Sequence, residues 1–287
     1  MGREEAVDGG GEFAFSNADF ARVRQLIHAR AGIALADSKR QMVYGRLGRR
    51  LRALGLGSFR DYLDRLEAAP RDAEEWQSFT NALTTNLTAF FREAHHFEIL
   101  ARFLADRAGR GPQRIWCAAA STGEEPYSIA ITACEALGTD APAVEIVCSD
   151  VDTQVLETAS RGVYPLDRVQ GLDAPRLRRF FQRGTGPNEG WARVKPPLRG
   201  LVSFRPINLL HVDYGLRGPF DAIFCRNVMI YFDKPTQRAI LERFRPLLAP
   251  DGLLFAGHSE SFFHCADLFA SCGRTVYRRT DGSGSAA

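Results

Sequence analysis

The N-terminal quarter of the chain carries apolar residues at helical spacing. In residues 38–57 they recur every three or four positions on one face of a predicted helix, and arginines gather on another face. Asn17 and Ser38 are the predicted caps of the first two helices, and Gly32 ends the first. The pattern predicts a small all-α domain over residues 13–75. The apolar positions are Val43, Leu47, Leu51 and Leu54, and the basic positions are Arg46, Arg49 and Arg50.

From Arg114 onward, short apolar runs alternate with amphipathic helical segments. This alternation predicts a parallel, Rossmann-like α/β sheet whose strands present their carboxyl ends to a ligand. A long helix is predicted before the sheet, directly after the Asn/Thr-rich turn at residues 84–88. The whole α/β domain is predicted to cover residues 76–280. Its strands are RIWCAAA, VEIVCSDVD, LVSFRPIN, FDAIFCRNV and GLLFAGHS.

Residues 180–205 interrupt the alternation. The run GTGPNEG is rich in residues typical of turns, and it lies between segments that contain apolar residues. It predicts an antiparallel β subdomain inserted over residues 170–205. A free sheet edge there is suited to receive a peptide strand from a partner, and a simple surface excursion is the alternative.

Composition narrows the class of protein. No apolar run reaches the roughly 18 residues of a membrane span, so membrane insertion is not expected. Residues 1–12 are acidic and Gly-rich, unlike a secretory signal, and are predicted to be disordered, as is the tail at residues 281–287. The six cysteines lack CxxC spacing, which predicts reduced thiols in a cytoplasmic protein and no metal site.

Net charge is only +3, but it is unevenly distributed. Between Arg22 and Arg60 there are ten Lys/Arg residues and one acid, Asp37. This asymmetry predicts an acidic partner surface for the N-terminal domain.

The turn after the first predicted strand, AAASTGEEPYS, indicates the ligand. It holds one glycine, Gly123, where a dinucleotide site has three, and it follows this glycine with Glu124 and Glu125. The two acids would repel a pyrophosphate, so a nicotinamide cofactor is disfavoured. A cationic nucleoside without phosphates, such as S-adenosylmethionine, fits better, with Gly123 leaving room for close approach of the ligand. Taken alone, the two glutamates are equally consistent with ordinary first-turn carboxylates favoured by the helix dipole.

Asp150 ends the second predicted strand, where an acid accepts hydrogen bonds from the two ribose hydroxyls. A helix cap is the alternative role for this residue. Asp152 lies nearer the next helix and is the more natural cap, so we assign the ribose role to Asp150.

Six ordered motifs give the chain a family resemblance from about residue 13 to residue 278. Together they resemble the chemotaxis receptor methyltransferase (CheR) family of S-adenosylmethionine-dependent protein-glutamate O-methyltransferases. The resemblance implies a helical N-terminal domain, a class I methyltransferase domain with an inserted β subdomain, and methylation of glutamates on chemoreceptor cytoplasmic helices. The motifs are NLTAFFREAHHF, AAASTGEEPYSIAI, SDVDTQVLETA, GTGPNEG, FDAIFCRNVMIYF and LLAPDGLLFAGHSESF.

By position, the resemblance also implies the site residues. The cofactor contacts it implies are Asn86, Thr88, Arg92, Glu125, Asp150, Asn208, Leu209, Arg226 and Asn227. Capping a helix is the alternative role for Asn86 and Thr88, and a structural salt bridge is the alternative for Arg226. The product would be S-adenosylhomocysteine. Some family members bind a receptor's C-terminal pentapeptide at the inserted subdomain.

Two residues are hypothesised to orient the substrate glutamate. Arg92 offers a fork-shaped donor suited to a carboxylate, and Tyr231 offers a hydroxyl at the end of a predicted strand. A role mainly with the cofactor carboxylate is the alternative for Arg92, because tight pairing with the substrate would weaken the nucleophile. The face of Arg46, Arg49 and Arg50 is the hypothesised docking strip for the acidic receptor helices, with a merely solvated basic face as the alternative. We expect a cytoplasmic monomer that is recruited to membrane-bound receptors.

Rival classes are a non-catalytic cofactor sensor, a nucleic-acid methyltransferase and an NAD enzyme. The complete set of pocket residues and Tyr231 argue against a sensor. A nucleic-acid enzyme would need a base-flipping pocket with stacking aromatics, and the sequence shows no such motif. The glycine pattern disfavours the NAD enzyme.

Overall fold

The computed structural model describes residues 12–280 of the 287-residue chain. Residues 1–11 and 281–287, which were predicted to be disordered, lie outside the described residues. The chain forms two compact units. The helical unit comprises the residues up to Thr85 together with Tyr231–Asp233, and the α/β unit comprises Asn86–Ile230 and the chain from Lys234 onward.

Within residues 12–85, four α-helices build the helical unit. Ser16, and not the predicted Asn17, caps the first: its hydroxyl accepts the N–H of Asp19, whose carboxylate accepts the N–H of Ser16. Ser38 was also wrongly predicted as a cap, because it lies inside a 3-10 turn, Asp37–Lys39, that leads directly into the second helix. The helices are α1 (Asn17–Ala31), α2 (Arg40–Leu54), α3 (Phe59–Ala68) and α4 (Glu74–Leu83).

Helix α4 belongs to the helical unit, although the predicted boundary at residue 75 falls inside it. Its apolar side chains Trp76, Phe79 and Leu83 are buried, and the ring of Phe79 lies 6.5 Å from that of Tyr62 on α3. Burial of this face explains why the compact unit continues to Thr85.

The α/β unit contains a seven-stranded sheet in the order β6-β2-β1-β7-β8-β10-β9. Neighbouring strands from β6 to β8 run parallel, and the last two pairings are antiparallel. Its strands and those of a second, smaller sheet are β1 (Gln113–Cys117), β2 (Val144–Asp150), β3 (Val163–Pro165), β4 (Phe181–Arg183), β5 (Trp191–Val194), β6 (Val202–Pro206), β7 (Phe220–Cys225), β8 (Leu248–Ala256), β9 (Phe269–Ser271) and β10 (Val276–Arg279).

The helices of this unit alternate with the parallel strands, as the sequence pattern predicted. They are α5 (His95–Asp106), α6 (Glu124–Ala136), α7 (Thr153–Arg161), α8 (Leu166–Val169), α9 (Ala174–Phe180), α10 (Pro196–Arg199) and α11 (Lys234–Leu247). The long helix predicted after the Asn/Thr-rich turn begins only at His95. Phe91 and Glu93 have φ values of 52° and 58°, which an α-helix does not allow.

The inserted subdomain is an antiparallel sheet in the order β3-β5-β4. It begins at Val163, earlier than the predicted residue 170. The reason is that β3, which precedes α8 and α9 in the chain, pairs with β5 and so belongs to this sheet. The structure thus has the predicted class: a helical N-terminal unit and a Rossmann-like methyltransferase fold with a small antiparallel sheet. Within residues 12–280, no helix has the length and apolar character needed to span a bilayer.

Candidate active site

Five parallel strands end at one edge of the large sheet. From β1 the chain enters the turn at residues 118–123, and β2 ends at Asp150. Strands β6, β7 and β8 lead to Asn208, Arg226 and His258. Because carboxyl ends of parallel strands share an edge, the fold brings these residues to one side of the sheet, where α/β proteins bind ligands.

Gly123 serves the packing of the turn. Its φ is 99°, and a Cβ built on it would lie 2.6 Å from the Tyr164 hydroxyl and 2.9 Å from the Ala159 Cβ. A larger residue would therefore collide with α7 and the inserted subdomain. Gly123 therefore meets a packing requirement inside the protein, and its predicted role of leaving room for the ligand stays a prediction.

Asp150 is held by two backbone donors. The N–H of Ser121 donates to Oδ2 at 2.9 Å, and the N–H of Asp152 donates to Oδ1 at 3.0 Å. Asp152 itself caps α7, as predicted, by accepting the N–H groups of Gln154 and Val155. Asp150 is only 9% exposed, and this burial raises its pKa to about 6, although the two N–H donors oppose the shift.

The segment before α5 lies against the turn after β1. The carbonyl of Asn86 accepts the Ser121 hydroxyl at 3.1 Å, and the Asn86 amide donates to Asp152 Oδ2 at 2.8 Å. Farther along, the N–H of Phe91 donates to the Ser128 hydroxyl at 2.9 Å. These bonds fix the segment that carries Thr88 and Arg92.

A buried ionic cluster lies where β7 ends. The Arg226 guanidinium donates to Glu125 Oε2 at 2.5 Å and lies 3.1 Å from Glu93 Oε2. It also donates to the carbonyl of Arg92. The structure thus brings together Arg226, Glu125 and the backbone of Arg92, three predicted site residues.

The two carboxylates of the cluster differ in environment. Burial raises the pKa of Glu125, although the Arg226 charge opposes the shift. Burial acts in the same direction on Glu93, but the hydrogen bond from His258 and the charge of Arg226 outweigh it and lower the pKa of Glu93 to about 2. Glu93 is therefore an ionised carboxylate at neutral pH.

Glu124 and Glu125 have separate roles. Glu124 pairs with Arg168 of the inserted subdomain at 2.8 Å and accepts the Thr122 hydroxyl at 2.6 Å. Glu125 instead faces Arg226, and the Cys117 thiol lies 3.4 Å from its Oε1. Glu124 is the structural carboxylate of the turn, and this separation supports the choice of Glu125 as the cofactor contact.

Asn227 is held in a left-handed backbone conformation, with φ 57°. Its N–H donates to Glu260 Oε2 at 2.9 Å, and the N–H of Met229 donates to Glu260 Oε1 at 2.7 Å. A Cβ at Gly257 would lie 2.3 Å from the Asn227 amide nitrogen. Glu260 and Gly257 therefore shape the loop after β7.

The remaining predicted residues lie on irregular segments. Thr88 is partly buried, and the Asn208 side chain accepts the N–H of Leu210 at 3.0 Å. The carbonyl of Leu209 accepts the Tyr214 hydroxyl at 3.0 Å. Tyr231 ends a short 3-10 turn and belongs to the helical unit, whereas the predicted cofactor contacts belong to the α/β unit.

Sequence reasoning missed Glu93, His258 and Glu260. Glu93 lies in the quoted motif NLTAFFREAHHF, and the other two lie in GLLFAGHS and its continuation. The position of His258 and Glu260 directly after a predicted strand was a usable signal. For Glu93 there was none, because the segment was predicted to be helical.

Backbone strain gathers in the same segments. Six non-glycine residues among residues 12–280 have positive φ, and four of them, Phe91, Glu93, Ser121 and Asn227, belong to the segments just described. Such conformations cost about 1–3 kcal/mol each and are typical of functional sites.

The donor set fits S-adenosylmethionine better than a dinucleotide. A ribose can be held by Asp150, whose two oxygens are already oriented by backbone donors. Two carboxylates surround one guanidinium in the cluster of Glu93, Glu125 and Arg226, which favours a cationic ligand group over a pyrophosphate.

The basic strip of the helical unit has mostly internal partners. The Arg46 guanidinium donates to the carbonyls of Ala82 and Thr84, and Arg50 forms a bidentate ion pair with Glu75. Arg49 is exposed. The basic excess near α2 is thus partly neutralised by acids that follow it in the chain.

Comparison with known proteins identifies the family. The model described as "CheR methyltransferase, all-alpha domain" matches residues 18–84, and "CheR methyltransferase, SAM binding domain" matches residues 86–278. The chain belongs to the CheR methyltransferase family. Its activity is therefore S-adenosylmethionine-dependent methylation of receptor glutamates in chemotaxis.

Three curated relatives cover nearly the whole chain. Chemotaxis protein methyltransferase 2 of Pseudomonas aeruginosa is 58% identical over 272 residues, or 94% of this chain and 96% of the relative. The chemotaxis protein methyltransferase of Salmonella typhimurium is 60% identical over 264 residues, covering 92% and 91%. That of Escherichia coli is 57% identical over 264 residues, with the same coverage.

Proposed function

We propose that this CheR methyltransferase esterifies glutamates of receptor cytoplasmic helices at the carboxyl edge of its parallel sheet. The assignment of the site rests on two features that the parallel strands bring to one edge of the sheet: Asp150 at the end of β2, and the two carboxylates that face Arg226 after β7. The first suits a ribose and the second a cationic group. The cofactor contacts are those implied by the sequence: Asn86, Thr88, Arg92, Glu125, Asp150, Asn208, Leu209, Arg226 and Asn227.

Methyl transfer to a glutamate requires little acid–base catalysis by the protein. S-adenosylmethionine supplies, when bound, a methyl group on a positively charged sulfur. A substrate glutamate is already ionised at neutral pH, so it needs no general base. The residues of the chain therefore orient the carboxylate and exclude water around it.

Arg92 and Tyr231 are proposed to orient the substrate carboxylate. The Arg92 Nη1 donates to the carbonyl of Leu87 at 2.9 Å, which anchors one arm of the guanidinium. Tyr231 lies on the segment that follows Arg226 in sequence. The Tyr231 hydroxyl and the Arg92 guanidinium are hydrogen-bond donors that suit a carboxylate.

We expect Tyr231→Phe to lower kcat about tenfold to a hundredfold, because a small misplacement of the reacting oxygen slows methyl transfer strongly. The cofactor Kd should stay within about twofold. Arg92→Ala should lower kcat if this arginine orients the substrate, and raise the cofactor Kd if it binds the cofactor. Single-turnover rates and Kd values separate the two effects. The control is Tyr44→Phe, which removes a hydroxyl that accepts the N–H of Phe13. Unchanged turnover of Tyr231→Phe and Arg92→Ala at saturating cofactor would remove both residues from the mechanism.

We also propose that α2 docks the acidic receptor helices, with Arg49 as the exposed member of the strip. Arg49→Glu should raise KM for the receptor several-fold and leave cofactor Kd unchanged, since charge reversal on a docking face repels an acidic partner. Arg278→Glu is the matched control, an equal charge change at an exposed position of β10 in the α/β unit. Equal KM values in the two variants would contradict the docking role. Arg46 and Arg50 are poorer probes, because their replacement also removes internal bonds.

The inserted sheet is proposed to bind a receptor's C-terminal pentapeptide. Its central strand, β5, is flanked by β3 and β4, whose outer edges are available for strand addition, and Trp191 is 45% exposed on β5. Calorimetric titration with such a pentapeptide should give saturable binding, and a scrambled peptide should not bind. Lack of saturation with the native order would rule out this tether. With these contacts, the protein is proposed to act as a cytoplasmic monomer recruited to membrane-bound receptors.

A further inference from the structure

Glu93 is the centre of the ionic cluster. Its Oε1 accepts from the Asn227 amide at 3.2 Å and from His258 Nδ1 at 2.9 Å, and its Oε2 lies 3.1 Å from an Arg226 nitrogen. One carboxylate therefore contacts the side chains of two proposed cofactor contacts. Its own side chain is 10% exposed.

The contacts of Glu93 depend on its unusual backbone. At φ 58° the chain turns away from the helix that starts at His95, and the turn brings the carboxylate back toward the end of β7. A strained backbone that the surrounding bonds maintain is typical of functional segments.

The charges around Arg226 do not balance. Glu93 and Glu125 each approach the guanidinium, and the nearby ring of His96 is neutral, because burial and the Arg226 charge lower the pKa of His96 to about 4. His96 donates from Nε2 to the carbonyl of Arg274, so its Nδ1, 3.6 Å from Glu93 Oε2, carries no proton. When both are ionised, the two carboxylates that face one guanidinium leave one surplus negative charge in a buried environment, where it acts strongly.

We propose that Glu93 is a positioning residue that orients Arg226 and Asn227 and supplies the surplus charge that favours the methyl donor over the spent product. S-adenosylmethionine carries a positive sulfur, whereas in S-adenosylhomocysteine the sulfur is neutral. A negative charge beside the pocket therefore stabilises the donor complex more than the product complex. The inference rests on the assignment of Arg226 and Asn227 to the cofactor pocket proposed above.

The test compares the Kd of each ligand by calorimetry at pH 8, above the range in which ordinary histidines titrate. Glu93→Gln keeps the shape of the side chain and removes its charge. It should weaken S-adenosylmethionine binding about tenfold more than S-adenosylhomocysteine binding. Glu98→Gln, which changes the net charge equally at an exposed position of α5, should leave the ratio of the two Kd values as in the wild type.

A second variant keeps the proposal testable if Glu93→Gln folds poorly. Glu93→Asp retains the charge on a shorter side chain, so both ligands should weaken while the ratio of Kd values stays within about twofold of the wild type. An unchanged ratio in folded Glu93→Gln, or an altered ratio in Glu93→Asp, would overturn the role of Glu93. Asp150→Asn tests the pocket assignment separately: both ligands should weaken, and unchanged binding of both would overturn that assignment.

Discussion

Replacing Arg226 with alanine should lower the free energy of unfolding by about 3–5 kcal/mol and weaken cofactor binding by about a hundredfold. The variant leaves two buried carboxylates, Glu93 and Glu125, without their shared cation. Breaking a buried ion pair by removing one partner costs about this much, because the remaining charge is no longer compensated. Denaturant unfolding and calorimetric titration measure the two effects.

The matched control for Arg226 is Arg243→Ala. Arg243 donates to the backbone carbonyls of Leu209, Leu210 and His211, so its removal leaves neutral acceptors that water can partly satisfy. The control should cost about 1–3 kcal/mol. Equal destabilisation in the two variants would contradict a special role for the ionic cluster.

Cofactor affinity should fall as the pH drops below about 6. Burial holds the pKa of Asp150 at about 6, so the free protein binds a proton there below this pH. The ribose hydroxyls donate to the ionised carboxylate, and binding must then displace the proton. Affinity at pH 5 should therefore be about tenfold weaker than at pH 7.5. Glu93, whose pKa is about 2, stays ionised throughout this range.

Asp150→Asn separates this effect from other titrations. The amide neither gains nor loses a proton in this range, so the variant should bind weakly and with a flat profile between pH 5 and pH 7.5. Burial also raises the pKa of Glu125 and that of Glu260, so a slope that persists in Asp150→Asn would come from another group and contradict the assignment of the pH dependence to Asp150.

The sequence predicted the fold and much of the sheet edge because both depend on short-range patterns. Alternating strands and helices specify a parallel sheet, and the acid at the end of β2 follows from the topology. The assignment of Asp152 as the helix cap was confirmed for the same reason: capping is a local interaction. Choosing Glu125 over Glu124 needed the family resemblance.

Features that depend on distant partners could not be predicted. Nothing in the residues near Arg46 or Arg50 indicates that carbonyls at the end of α4 and the Glu75 carboxylate occupy their guanidinium groups. The packing requirement at Gly123 comes from Tyr164, about forty residues later. Glu93 escaped prediction because its left-handed backbone interrupts a segment with a helical pattern.

The most direct test of the account is incubation of the protein with methyl-labelled S-adenosylmethionine and membranes that contain candidate chemoreceptors. The account predicts label in base-labile esters, which peptide mapping assigns to glutamates on the cytoplasmic helices, and loss of this label in Arg226→Ala. Transfer of base-stable label to other side chains, or no transfer to any receptor by folded, cofactor-binding protein, would contradict it.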